Sequence, residues 1–402
     1  MSANFRTCLN HTGLGRWSRC LRGGPPATEE AWLVRIDRMP ASIWNARKRR
    51  LLKSVHAAGL DALLITHLSD IRYLCGFSGS SGALAVSGSR AVLFTDGRYT
   101  EQAKKEAEGA KVVIAKGSPM SAACEWVEAA GVERCGYDPA HTTVSALRAM
   151  RAAVTPKRRR SLFQSAGELV GRQREIKDQV EIATMREAAA LGCAVFEETL
   201  QDVVPSMTEV QIALDLERRS RTAGAEGMSF ESIVAGGVRS ALPHARPTAA
   251  KLPRSGFVTL DFGVVWKGYC SDMTRCIHVG RVSPEERAVY DFVLEAQRCA
   301  IALVAPGVQA GEVDEAARTV LRRAKLDKFF PHSTGHGLGL EIHEQPRIGA
   351  KQRQELEAGM VVTIEPGVYL EGRFGVRLED MVLVTDRGCE VLTTSTMALI
   401  EL

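Results

Sequence analysis

The feature that most constrains this chain is an approximate internal repeat in its C-terminal part. Helical periodicity runs over REIKDQVEIATMREAAALGCAVFEETL, residues 174–200, and resumes over VPSMTEVQIALDLERRSRTAG. In the second helix Thr208 and Gln211 have capping-box spacing. A β segment follows, and then the order recurs. SPEERAVYDFVLEAQRCAIALV opens with Ser283, Pro284 and Glu286, a capping box with proline at the first helical position. APGVQAGEVDEAARTVLRRAKL mirrors the earlier second helix, with Pro and then Glu-Val in both copies, and MVVTIEPGVYLEGRFGVRLEDMVLVT is the second β segment. Two similar helix–helix–hairpin halves imply a pseudo-symmetric α+β domain whose site lies between them.

Each half carries a pair of acids on its hairpin. In LDFGVVWKGYCSDMTR, a strand entering at Phe257, turning around Trp266 to Gly268 and returning towards Ile277 sets Asp261 and Asp272 nearly opposite each other. In the second half Glu365 follows MVVTI and Glu379 follows GVRL. Like charges directly opposite on paired strands are destabilising, and an unpaired buried carboxylate costs far more. Between the two hairpins lies HSTGHGLGLEIHE, with His332, His336 and His343 among glycines. The glycines argue against a helix, so this is not a thermolysin-like zinc motif. Taken singly, an acid after a strand is a turn former and a histidine is an ordinary hydrogen-bonded residue. Five candidates at matching places in two halves are a different matter. Divalent cations neutralise such a set, and bridging carboxylates suit two metals about 3.5 to 4 Å apart.

Before the repeat, helix and strand alternate from Ser42: NARKRRLLKSVHAAGL stopping at Gly59, then DALLIT, GALAVSG, AVLFTD, RYTEQAKKEAEG, KVVIAKG, SAACEWVEAAG, ERCGYD and VSALRAMRAAV. This reads as a smaller α/β domain over residues 41–165, with the catalytic domain over 166–402. The basic run TPKRRR near the boundary reads as a solvated linker. Residues 1–40 stand apart as an extension. They are Arg-rich, with no acid before Glu29 and no apolar core of a secretory signal. A targeting segment, a disordered tail and a start at Met39 all remain open for them. Residues 1–50 hold ten Lys/Arg against three Asp/Glu, a balance of +7 in a chain of net +5, so the remainder carries −2. A near-neutral body argues against nucleic acid as a partner, and no apolar run approaches the roughly 18 residues of a membrane span. Ten cysteines without CxxC spacing read as free, mostly buried thiols of a reducing, cytoplasmic compartment.

Residues 42–402 resemble the pita-bread metallopeptidases, which include aminopeptidase P, prolidase and methionine aminopeptidase. DFGVVWKGYCSDMTR, HSTGHGLGLEIHE, TIEPG and RLED carry the resemblance in the catalytic part. SDIRYLCGFSGSSGAL and VLFTDGRYTEQA look like the creatinase-type N-terminal domain of Xaa-Pro peptidases, which methionine aminopeptidases lack. The resemblance implies a dinuclear exopeptidase that cleaves Xaa-Pro bonds in dipeptides or at peptide N-termini. It implies that Asp261 chelates one metal, that His336 and Glu365 hold the other, and that Asp272 and Glu379 bridge both. The oxygen-rich set favours Mn²⁺, with Co²⁺ or Zn²⁺ as alternatives. By the same resemblance Glu365 shuttles protons, His343 polarises the carbonyl, and His244 and His332 line the proline side. Arg377, two residues before Glu379, would orient that ligand or the substrate, and Arg347 stands where some prolidases bind the dipeptide carboxylate. The family is commonly homodimeric. A metal-free pita-bread binding module and a creatinase-like C–N hydrolase are the other classes to weigh. His278, in CIHVG, reads as ordinary.

Overall fold

The basic amphipathic stretch after residue 40 forms helix α1 (Ala41–Ala57), and Gly59, at φ 73°, turns the chain out of it. The computed structural model describes residues 41–402, so the expected extension over residues 1–40 lies outside the described residues. Next come strand β1 (Ala62–Ile65), helix α2 (Leu68–Cys75), strands β2 (Ala83–Ser87) and β3 (Arg90–Thr95), and helix α3 (Thr100–Glu106). Strand β4 (Lys111–Ile114), α4 (Pro119–Ala129), β5 (Cys135–Tyr137), α5 (Val144–Ala152) and β6 (Phe163–Ser165) complete this part. The six strands form one mixed sheet in the order β4-β3-β2-β1-β5-β6. Both of its faces are covered. Leu63, Leu84 and Leu93 join a core with α1 and α2, whereas Leu64, Ala85 and Phe94 join another with α4. Strands buried on both faces read as continuous apolar runs, which is why DALLIT and AVLFTD show no alternation.

The long helix expected over residues 174–200 is in fact two, α6 (Gly171–Glu175) and α7 (Gln179–Asp202). Asp178 breaks the run. Its carboxylate accepts from the Val180 and Glu181 N–H groups, Glu181 returns a bond to the Asp178 N–H, and Arg47 of α1 holds Asp178 at 2.7 Å. Helix α8 (Glu209–Thr222) starts at the Thr208–Gln211 capping box. Strands β7 (Gly227–Met228), β8 (Ile233–Gly236), β9 (Gly256–Phe262), β10 (Val264–Trp266), β11 (Tyr269–Cys270) and β12 (Met273–Val279) close the first half.

The second half opens with α9 (Pro284–Leu303), capped by Ser283 and Glu286, and α10 (Ala310–Arg323). It continues through β13 (Gly335–Gly337), β14 (Glu344–Ile348), β15 (Val361–Ile364), β16 (Gly367–Leu370), β17 (Phe374–Arg377), β18 (Asp380–Thr385) and β19 (Gly388–Val391), with β20 (Ile400–Glu401) last. The repeat is visible in the pairing. Hairpin β9/β12 lies in the sheet β20-β12-β9-β8 and runs on into β10/β11; hairpin β15/β18 lies in β14-β13-β15-β18-β19 and runs on into β16/β17. Phe196, Leu216, Leu260 and Phe262 are core residues of the first half, and Val293, Leu321, Ile364 and Val382 of the second. Each such buried side chain contributes about 1.5–3 kcal/mol, so the two hairpins are rigidly backed where they meet. Among the described residues no helix is long and apolar enough to cross a membrane. The TPKRRR run is a largely exposed turn, and Cys75, Cys124, Cys135, Cys193, Cys270 and Cys276 are free and buried.

Candidate metal centre

Both hairpins break their ladder next to the acids, Asp272 in the first and Glu365 and Glu379 in the second lying in the gap, and the pairing on either side of each break fixes where the acids stand. Phe262 pairs with Met273 and Val265 with Cys270, so one register crosses the break, with Asp261 opposite Thr274 and Asp272 across from Gly263. The two aspartates thus share a face, offset by two residues from the expected opposition. A Cβ at residue 263 would lie 1.7 Å from the Ser271 carbonyl oxygen, so only glycine lets the strands close beside Asp272. Lys267 (φ 48°) and Gly268 (φ 86°) make the two-residue turn. In the second half Ile364 pairs with Asp380 and Gly367 with Arg377, which sets Glu365 across from Glu379. The halves join here: the Glu379 N–H donates to the Thr274 carbonyl (3.2 Å), and Thr274 Oγ1 donates to Glu379 Oε2 (2.6 Å).

His336 enters on β13, between β14 and β15. A Cβ at Gly335 would lie 1.8 Å from the Thr363 carbonyl oxygen, and one at Gly337 2.1 Å from that of Gln345. These glycines therefore serve close backbone approach. His336 Nδ1 lies 3.0 Å from its acceptor, the Gly337 carbonyl, which places the proton on Nδ1 and leaves the Nε2 lone pair free. Nε2 stands 3.7 Å from Asp272 Oδ2 and 3.5 Å from Glu365 Oε1. Both separations are too long for hydrogen bonds.

The charges do not balance by themselves. Asp261, Asp272 and Glu379 are buried and Glu365 half-buried, and the Arg377 guanidinium pairs with Asp261, whereas buried Arg275 pairs with Asp380 next to Glu379. Burial, then the neighbouring carboxylates, pushes Asp272 and Glu379 well above the usual carboxylate range. Burial lifts Glu365 to about 8 and holds His336 neutral, its pKa lowered to about 4. Asp261 Oδ1 and Asp272 Oδ1 are buried without a hydrogen-bond partner. Orphaned carboxylate oxygens beside an imidazole lone pair fit divalent cations. One oxygen or nitrogen each from Asp272, His336 and Glu379 lies within 4.8 Å of the others, a group that could hold a metal.

This cluster lies in a cleft of about 900 Å³ that His244, His332, His343, Arg347 and Arg377 also line, so all the expected site residues come together. His343 is exposed and edge-on to His336, ring centroids 4.4 Å apart. Arg347 is exposed, and among the described residues its guanidinium has no ion-pair partner. His278, by contrast, is buried away from the cleft, bonded to the Gly280 carbonyl and edge-on to Phe257. Sequence reasoning missed Tyr369. Arg377 Nη1 donates to the Tyr369 hydroxyl (2.7 Å), which donates to His332 Nε2 (2.9 Å), while His332 Nδ1 donates to the Ser333 carbonyl. Also missed was Thr274, which accepts from Arg377 Nε at 3.2 Å while holding Glu379. Its place two residues after Asp272, on the same strand face, was a usable signal.

Comparison with known proteins identifies relatives of both parts of the chain. Residues 183–386 match the model of metallopeptidase family M24, and residues 47–176 match the creatinase/prolidase N-terminal domain. A peptidase of Bacillus subtilis is 37% identical over 86% of this chain and 96% of its own. The structure of an Xaa-Pro dipeptidase from Bacillus anthracis superposes with a TM-score of 0.85 at 38% identity, over 89% of this chain and all of that one. An X-Pro aminopeptidase from Thermotoga maritima superposes with a TM-score of 0.79 at 35% identity, over 87% and 100%. The fold is the pita-bread architecture behind a creatinase-type domain, and the chain belongs to metallopeptidase family M24.

Proposed function

We propose that this peptidase is a dinuclear exopeptidase that hydrolyses the bond between an N-terminal residue and proline. The observation that carries the reading is the convergence of Asp261, Asp272, Glu365, Glu379 and the free Nε2 of His336 at the floor of one cleft. In this reading Asp261, Asp272, His336, Glu365 and Glu379 would together hold the two cations. The oxygen-rich set favours Mn²⁺. When bound, the cations supply Lewis acidity, making water a competent nucleophile near neutral pH and polarising the scissile carbonyl.

The chain's own groups do the rest. Glu365 carries the proton from water to the leaving proline nitrogen. His343, surface-exposed but partly desolvated within the cleft, has its pKa lowered by that desolvation and then by His244, and is a neutral N–H donor for the carbonyl oxygen as its charge grows. Both His332 nitrogens are committed to Ser333 and Tyr369, so His332 offers proline a ring wall, with His244 beside it in the cleft. Arg377 steadies Asp261 directly and Glu379 through Thr274. The unpartnered guanidinium of Arg347 suits the carboxylate of a dipeptide, while the cleft volume also admits a longer peptide.

We assign residues 41–165 to the N-terminal domain, supported by β6 as its last strand, and residues 166–402 to the catalytic domain. A homodimer in the cytoplasm completes the reading, the latter resting on the free thiols. The test is to strip the protein of metal, restore Mn²⁺, and compare an Xaa-Pro dipeptide with an Xaa-Pro tripeptide. Faster Mn²⁺-dependent cleavage of the dipeptide assigns prolidase and gives Arg347 its role; preference for the tripeptide assigns aminopeptidase P. No metal-dependent cleavage of either refutes the reading.

A further inference from the structure

Glu209 is a carboxylate without a place in the chemistry above, yet it is 1% exposed. It sits at the first turn of α8 and is not among the residues that line the cleft. Its two oxygens are saturated by donors from both ends of one loop. Oε1 accepts from the Gly236 N–H (2.9 Å) and Oε2 from the Thr248 N–H (2.9 Å) and hydroxyl (2.7 Å). Arg239 Nε, from within the loop, lies 3.0 and 3.1 Å from the two oxygens, and its Nη2 donates to the Arg246 carbonyl (2.6 Å). The loop between these stems carries Pro243, His244, Ala245 and Arg246 into the cleft. At its far side the Pro243 carbonyl accepts from Arg377 Nη1 (3.1 Å), and Ser240 Oγ accepts from the Gly375 N–H (2.9 Å).

We propose that Glu209 is a positioning residue: one buried carboxylate ties residue 236 to residue 248 and so fixes the loop that presents His244 to the substrate. This rests on the reading of His244 as a wall of the proline site. The physical case is that a buried carboxylate is stable only when its lone pairs are met, and here the donors come from both stems of a single loop. No apolar or amide isostere closes the same ring. In Glu209→Gln the amide NH₂ must face donors at one stem, so the side-chain tie to that stem is lost, leaving only backbone bonds such as Val210 N–H to the Thr248 carbonyl (3.0 Å).

The test is a double-mutant cycle between Glu209→Gln and His244→Ala, read as kcat/KM on an Xaa-Pro dipeptide with Mn²⁺, together with amide exchange over residues 237–248. Displacing a substrate-contacting group by about 1 Å costs up to roughly a hundredfold, so Glu209→Gln is expected to lower kcat/KM at least about tenfold. In the His244→Ala background the same change should cost less than about twofold, and exchange across the loop should rise at least about tenfold. A merely structural Glu209 lowers both backgrounds by the same factor, which overturns the proposal, as does unchanged exchange in the loop. If His244→Ala is itself inert while exchange rises, the tie stands and the His244 assignment fails instead. Should Glu209→Gln not fold, Thr248→Val and Arg239→Gln each remove one strut. Faster loop exchange in them supports the proposal, and wild-type exchange in both overturns it.

Discussion

Replacing Arg174 with methionine keeps the apolar stem and deletes a charge that three acids share. The guanidinium donates to Asp70 Oδ1 at 2.8 Å, Glu341 Oε2 at 2.7 Å and Glu344 Oε1 at 2.5 Å. Arg174 is 4% exposed, and the Asp70 and Glu344 side chains only 3% and 6%. Asp70 comes from α2 in the N-terminal sheet domain, whereas Glu341 and Glu344 bracket His343, so the arginine ties the first domain to the cleft. Breaking a buried ion pair from one side costs about 3–5 kcal/mol, because the remaining charge has neither water nor partner. Substitutes exist: Lys177 stands 3.3 Å from Glu344 Oε2, and His67 lies 3.0 Å from Glu341 and 3.4 Å from Asp70. They place the expected loss at the lower end, about 3 kcal/mol. With an unfolding entropy of about 2.1 cal/mol/K per residue over roughly 360 residues, that lowers Tm by about 4 °C. Scanning calorimetry at fixed metal and pH reads it, with rescans to establish reversibility. Adding Glu344→Gln to Arg174→Met should recover part of the loss, since the stranded carboxylate is then gone. A Tm within about 1 °C of wild type for Arg174→Met, or a double variant no more stable than Arg174→Met alone, refutes the reasoning.

Two further perturbations probe the same surroundings. Tyr369→Phe removes the acceptor for Arg377 Nη1 and the donor for His332 Nε2, and should cost about 1–3 kcal/mol along with a fall in kcat/KM. Unchanged stability and rate would show that the chain through Tyr369 is idle. Burial alone would lower the His67 pKa, but the nearby Asp70 carboxylate (3.4 Å) and the bond to Glu341 (3.0 Å) raise it from 6.5 to about 9. Its stabilising contribution is therefore full below pH 6.5 and lost as pH rises through about 9. Glu341, resisted by burial but lowered by His67 and Arg174 to about 2, contributes above 4.5 and loses that only as pH falls towards 2. The Tm gap between wild type and His67→Gln should thus be widest near pH 6 and close by about pH 9.5, and a gap that widens with pH contradicts the assignment.

Much of this was legible in the chain because local rules and tertiary needs agree. The Thr208–Gln211 and Ser283–Glu286 boxes cap helices where their spacing says, since satisfying terminal N–H groups is a local problem. The acid pairs were legible because two carboxylates on one face of a hairpin make no sense without a counter-charge, although the first pair is offset by two residues rather than opposed. What stayed hidden depends on distant partners. The break at Asp178 is masked by unbroken helical periodicity, and Arg47, 131 residues away, helps to settle it. Helix α2, eight residues long, and strand β6, three long, are too short for periodicity to register. Tyr369, Arg174 and Glu209 look like ordinary side chains until the fold brings their partners to them.

The central claim is that Asp261, Asp272, His336, Glu365 and Glu379 together hold two cations. The most direct measurement is metal bound per chain, by elemental analysis after stripping and Mn²⁺ reconstitution, for the wild type and for Glu379→Gln. Two ions per chain in the wild type, with loss of metal in Glu379→Gln while the variant stays folded, is the predicted result. A wild type that retains no metal, or a Glu379→Gln that binds the same two ions, contradicts it.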